Sequence, residues 1–285
     1  SMLVAWPGQS EETGQWPPEV FRTVYSSRAF LDINIDEAHA AATLMAEAIV
    51  REEGFDSRVE VDIYDDVDLI EAALRRDEVD VVTLVAQDYL SLEDTGLLEP
   101  TFLTMRGEDV LEHSVLLVRA DRDVEQLAQI QGGRLMVSRS ARRDLPLQWL
   151  ETTLIRDGLP HSGEMFVVEN TRGPSQALTA VFFGKADVCI VLSSALDTAV
   201  ELNPQLGVQL RVLDRSPDVL GSVICFSSRI DPRTRAQLLE SLAELHLRPL
   251  GQQLLSVFRV DRLIPFEEQH LAGTRKLFGE IDLIP

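Results

Sequence analysis

The sequence predicts an α/β protein of two similar lobes, each a mixed sheet flanked by helices, joined by two crossing strands. Three observations carry this. First, residues 173–196, GPSQALTAVFFGKADVCIVLSSAL, read as a helix, a tight turn and a buried strand that ends in small polar residues. Ala177, Leu178, Val181 and Phe182 fall at helical spacing, Gly184 stands where a left-handed cap is wanted, and residues 188–192 form a short run rich in β-branched side chains. Second, residues 68–89, DLIEAALRRDEVDVVTLVAQDY, repeat that pattern and place Asp80 on Asp187, Val81 on Val188 and Val85 on Leu192. Third, each copy is followed by another strongly apolar run, 113–118 (HSVLLV) and 222–227 (SVICFS), which read as the outward and return crossings between lobes. The expected division is a lead-in over 1–19, a first lobe over 20–114, a second over 115–224, and a return to the first over 225–285 with terminal helices.

Residues 1–19 hold Pro7, Pro17 and Pro18 and show no periodicity. A strand is predicted over 20–25, then a helix capped by Asn34 or Asp36 and stopped at Gly54, with Ala38, Ala41, Met45 and Ile49 on its inner face. Val59, Val61 and Ile63 alternate inward along a second strand, 58–64. Residues 97–104 read as loop. Strands follow over 134–137, 166–168 and 208–213, and helices over 146–155, 232–246 and about 251–258. The last stretch, with Phe266 and Leu277, is expected to pack back on the first lobe.

At 285 residues the chain has room for two cores, and a hydrophobic fraction of 45% marks it as globular. Lys and Arg number 26 against 47 Asp and Glu, a net charge of −21. That balance excludes a nucleic-acid partner and an anionic membrane surface, and leaves any anionic ligand to be held by local donors. Cys189 and Cys225 sit in apolar runs, as two buried thiols or as one disulfide. No metal-ligand spacing occurs. The acids around Asp62, Asp65, Asp66 and Asp68 fail as a calcium loop, because Ala73 stands where the last carboxylate belongs. The five histidines have no nucleophile at a recognisable spacing, and no Gly-x-Ser-x-Gly or phosphate loop is present, so neither an enzyme nor a cofactor is expected.

The order lobe, crossing, lobe, return, terminal helices resembles the type II periplasmic substrate-binding proteins, and most of all their phosphonate-binding branch. The residues that carry the resemblance are the paired units IEAALRRDEVDVVTLVAQDYL and SQALTAVFFGKADVCIVLSSALDTA, the segment LRVLDRSPDVLGSVICFSSRIDPRTRAQLLESL, and VFRVDRLIPFEEQHLAGTRKL near the end. It implies an extracytoplasmic or periplasmic receptor, a monomer that captures a small polar or oxyanionic ligand between its lobes for an ABC transporter permease. A ligand-sensing domain of a membrane signalling protein is the alternative, and an enzyme on the same fold the remote one. Ser1-Met2 reads as an expression scar, and no export signal opens the sequence. Four departures stand out. The family's Ser-Thr-Ser-Gly turn corresponds to Ser138-Arg139-Ser140-Ala141. Its strand-ending acid falls at or next to Ser194. Its first-lobe aromatic falls near Leu84 and its histidine near Gly173. The resemblance therefore implies an oxyanion or polar acid without an amine.

In open α/β sheets ligands sit outside the carboxyl ends of the strands, where loops lead into helix N-termini. The candidate rim is the set of such turns: Tyr25, Ser26 and Ser27; Gln87; Ser138, Arg139 and Ser140; Thr171 and Arg172; Ser193 and Ser194. Hydroxyls, an amide and arginines are the side chains an oxyanion or polar neutral ligand needs.

Overall fold

The computed structural model describes residues 19–30, 34–138, 145–230 and 232–281. Its strands, in chain order, are β1 (Val20–Ser26), β2 (Arg58–Tyr64), β3 (Val81–Val85), β4 (Leu98–Met105), β5 (Leu111–Glu112), β6 (Ser114–Arg119), β7 (Gly133–Ser138), β8 (Phe166–Thr171), β9 (Val188–Leu192), β10 (Leu210–Arg215), β11 (Val219–Leu220), β12 (Ser222–Ser227) and β13 (Arg262–Pro265). The α-helices are α1 (Ile35–Glu52), α2 (Val67–Arg75), α3 (Ala86–Leu92), α4 (Leu145–Arg156), α5 (Ser162–Met165), α6 (Pro174–Phe182), α7 (Ser193–Leu202), α8 (Gln205–Gln209), α9 (Pro232–Ala243), α10 (Pro249–Val257) and α11 (Ala272–Ile281).

Two large sheets result, ordered β13-β4-β12-β3-β1-β2 and β10-β6-β9-β7-β8. In the first, β1, β2 and β3 run parallel and β12 antiparallel between β3 and β4; in the second, β7, β8 and β9 run parallel with β6 antiparallel beside β9. The repeat seen in the sequence is kept in the register: Thr23 faces Val81 and Tyr25 faces Thr83 in the first sheet, as Leu135 faces Val188 and Val137 faces Ile190 in the second. The acid that opens each repeated strand explains why. The Asp80 carboxylate accepts the Arg22 amide N–H of β1, and the Asp187 carboxylate accepts the Arg134 amide N–H of β7, each at 2.7 Å. Each acid fixes its own strand against its parallel neighbour.

The apolar runs expected to cross between lobes are interior strands, β6 in the second sheet and β12 in the first. The chain passes between sheets just before each of them, where β5 and β11 pair as a two-stranded antiparallel ribbon. Ser114 at the start of β6 faces Leu192 at the carboxyl end of β9, and Ser222 at the start of β12 faces Val85 at the carboxyl end of β3. The ribbon therefore joins one carboxyl edge to the other, and the edges face each other across it.

Residues 98–105 are a strand rather than loop, with a register shift in β12 opposite Pro100, whose missing N–H cannot join the ladder. Asn34, not Asp36, caps α1: its side chain accepts the Asp36 N–H at 2.8 Å. The end of the chain divides between the lobes. Phe266 packs against Tyr89 in the first lobe, ring centroids 6.0 Å apart, whereas Leu277 on α11 is buried with Trp149 and Leu154 of the second. Cys189 on β9 and Cys225 on β12 are separate, buried, free thiols. No helix among the described residues is long and apolar enough to cross a membrane, and no group of His, Cys, Asp or Glu among them could hold a metal ion.

Candidate functional site

The described residues of the predicted turns lie at the carboxyl ends of their strands: Tyr25, Ser26 and Ser27 at the end of β1, Gln87 after β3, Ser138 at the end of β7, Thr171 and Arg172 at the end of β8, and Ser193 and Ser194 after β9. They are not equivalent there. Ser26 is buried and donates its hydroxyl to Asp88 at 2.8 Å, while Thr171 is buried and donates to the carbonyls of Val137 and Gly173. Both hydroxyls hold the edge together instead of facing a ligand. The Arg172 side chain is exposed, and its amide N–H is taken by Gln176. Ser138 is half-buried at its strand end, and Arg139 and Ser140 lie outside the described residues.

Sequence reasoning missed a partner in this edge. Arg28 donates to Gln87 Oε1 and to Asp88 Oδ1, both at 2.7 Å, and so ties the turn after β1 to the first turn of α3. Burial pushes the Asp88 carboxyl up from its ordinary value, against the opposing pull of the Ser26 hydroxyl and the Arg28 guanidinium. The signal available was an arginine next to the Ser26-Ser27 turn. Leu84, by contrast, is fully buried on the far face of β3 and can touch no ligand.

At the edges opens a cavity of about 210 Å3. It runs from the inner face of the first sheet (Phe21, Thr23, Tyr25, Val81, Thr83, Ile224), under α1, α9 and α10 (Met45, Ile49, Leu238, Leu242, Leu255), to the crossing segment 106–112 and the start of α7, where Ser193, Ser194 and Asp197 close it from the second lobe. Three rings, Tyr25, Phe30 and Phe258, stack along one wall with centroids 5.5 to 6.4 Å apart. Burial pushes the Tyr25 hydroxyl up to about 12, so it stays neutral. The charged side chains that line the cavity, Arg106, Asp109, Glu112 and Asp197, all belong to the crossing segment or to α7. Leu192 gives no side-chain cap to α7; the Ser193 amide N–H is taken by the His113 carbonyl at 2.9 Å, and Ser193 and Ser194 bring their hydroxyls to the cavity. Two lobes whose strand ends face one another across a paired ribbon, with a cavity walled by both, are the architecture of a receptor that closes on a solute.

The sequence profile of the family described as "ABC transporter, phosphonate, periplasmic substrate-binding protein" matches residues 32–271. The chain belongs to this phosphonate-binding family. Solved structures agree on the fold. The protein XAC2383 from Xanthomonas citri, bound to ATP, is 19% identical over 93% of this chain and 98% of that one, with a TM-score of 0.66. PhnD1 from Prochlorococcus marinus, in complex with methylphosphonate, is 14% identical over 93% and 99%, with a TM-score of 0.62. A binding protein component of an ABC phosphonate transporter from Pseudomonas aeruginosa is 14% identical over 92% and 86%, with a TM-score of 0.60. No protein with a curated description matches the chain. As a phosphonate-binding-family protein it has the type II periplasmic-binding fold, and its family consists of substrate-binding components of ABC transporters rather than enzymes. Asp197, one turn beyond Ser194, brings a carboxylate to the same cavity, next to the position expected for the family's acid.

Proposed function

We propose that the protein is a periplasmic receptor that closes its lobes over a small polar or oxyanionic ligand held at the first turn of α7, and hands it to the permease of an ABC transporter. The observation that carries this is the cavity at the facing carboxyl edges, lined by the first sheet on one side and by Ser193, Ser194 and Asp197 on the other. Hydroxyls and amides at a helix N-terminus suit an oxyanion, with charge-assisted bonds worth roughly 1.5–3 kcal/mol each. Phosphonates are the first class to try, with amine-bearing ones included because Asp197 offers a counter-charge. The net charge of −21 supports a receptor that binds no nucleic acid and stays monomeric.

The test pairs binding with closure. Thermal unfolding with phosphate, phosphite, sulfate, methylphosphonate and 2-aminoethylphosphonate should single out one class. A true ligand at 100 times its Kd stabilises by about 2.7 kcal/mol. Solution scattering of that complex should then show compaction, since the paired ribbon lets the lobes turn as near-rigid bodies. Unchanged dimensions with a confirmed ligand would remove the closing receptor.

A further inference from the structure

We infer that the hollow layer of the first lobe seats an apolar body of the ligand, so that the substrate is amphipathic, with its polar head at the first turn of α7 and a hydrocarbon or aromatic part inside the lobe. This rests on the receptor reading above and deepens it.

The two sheets supply the argument. At matched register the second sheet carries Leu135, Val137, Val188 and Ile190, all buried in a filled core, while the first carries Thr23, Tyr25, Val81 and Thr83 around open space. Shorter threonines replace leucine and isoleucine at two of the four positions, valine is kept at one, and Tyr25 stands in place of Val137 as part of the aromatic wall; the space over the threonines is continuous with the cleft. The cavity, about 210 Å3, exceeds the roughly 150 Å3 apolar cavity that stays dry and takes up benzene. A charged group cannot use its depth, because the sheet and the helices α1, α9 and α10 bring no charged side chain to its lining, and a buried charge without a partner is costly. An apolar group can use it: aromatic rings form one wall, and the Tyr25 hydroxyl is held neutral. Of the charged lining residues, Asp197 shares α7 with Ser193 and Ser194, Asp109 and Glu112 lie on the crossing segment, and Arg106 donates to the Phe258 carbonyl at the end of α10.

Calorimetric titration of the full chain with n-alkylphosphonates from methyl to octyl tests this. Affinity should rise on the order of fourfold per methylene until the space is filled. Thr83→Ile combined with Thr23→Leu, the side chains of the second sheet, should cost octylphosphonate far more affinity than methylphosphonate. Propylbenzene, which has no head group, is titrated in parallel by NMR. Tight methylphosphonate binding with a flat chain-length series overturns the inference and leaves the receptor reading standing. Binding of propylbenzene, weakened by the double variant, with no phosphonate bound keeps the apolar seat and overturns the phosphonate head. If neither class binds, the inference is overturned.

Discussion

Two lobes built on one register treat the same sheet face in opposite ways. In the second lobe Leu135 and Ile190 meet Trp149, Leu150 and Leu154, and none of these is more than 3% exposed. In the first, Thr23 and Thr83 occupy the same places in the ladder, and the cluster that α1, α9 and α10 build over the sheet encloses a cavity. Strand pairing therefore fixes where side chains point but not whether they meet. The volume of a few residues decides between a core and a binding chamber.

The contrast breaks if the two faces respond alike to truncation. Leu135→Ala should cost roughly 2–5 kcal/mol in urea unfolding, since a closed core cannot collapse onto the gap, whereas Thr23→Ala should cost under about 1 kcal/mol because the wall it leaves is already open. Equal losses at the two sites would mean that the first lobe is packed in solution.

The opening acids sharpen the contrast by charge. Burial lifts the Asp80 carboxyl to about 6 against the Arg22 amide and guanidinium, while Asp187 is lowered: burial pushes it up, and the Arg134 amide and the Arg122 guanidinium more than offset that. An acid raised in the folded state stabilises when protonated. The Asp80 contribution is thus present below about pH 4 and lost as pH rises to about 6, a swing of roughly 3 kcal/mol for a rise from 3.8 to about 6. Asp80→Asn keeps an acceptor for the Arg22 amide, so its stability relative to the parent should improve by about that much between pH 4 and pH 7. Asp187→Asn should instead lose about 0.5 kcal/mol at pH 7, the worth of a partly exposed ion pair, and lose less as pH falls through the depressed native value. Parallel pH profiles for the two variants would show that the acids are equivalent after all.

The smallest expected effect is a gain. Thr83→Ile, measured without ligand, should raise stability by up to about 1 kcal/mol by filling space. A loss larger than that, the signature of overpacking, would show that no space is there.

Much of the fold was legible because its signals are local. The repeat of helix, turn and strand, the glycine cap at Gly184, where φ is +68°, and the two acids aligned by sliding one copy over the other can all be read from short stretches. Residues 98–105 were not legible, since Pro100 breaks the alternation that marks a strand and the pairing with β12 depends on residues far later in the chain, such as Ser227 opposite Leu98. The site's edges could be found from the rule that strands end at ligands. Ser26 and Thr171 could not be told from donors facing a ligand, because their acceptors come from elsewhere in the fold: Asp88 from α3, and the carbonyls of Val137 from β7 and Gly173 from the turn before α6. The cavity is a matter of missing volume. Its trace in the sequence was the pairing of Thr83 with Ile190 in the aligned repeats, a difference visible only when two copies are compared.

The place of β12 between β3 and β4 has a consequence in time. The second sheet is drawn from one unbroken stretch, 114–215, so it can assemble from that stretch alone. The first sheet begins earlier but holds a gap at its centre until residues 222–227 emerge, with the ladder edges of β3 and β4 unpaired meanwhile. The sheet begun first is thus the sheet finished last, and during that interval it presents two open edges to any other unfolded chain nearby.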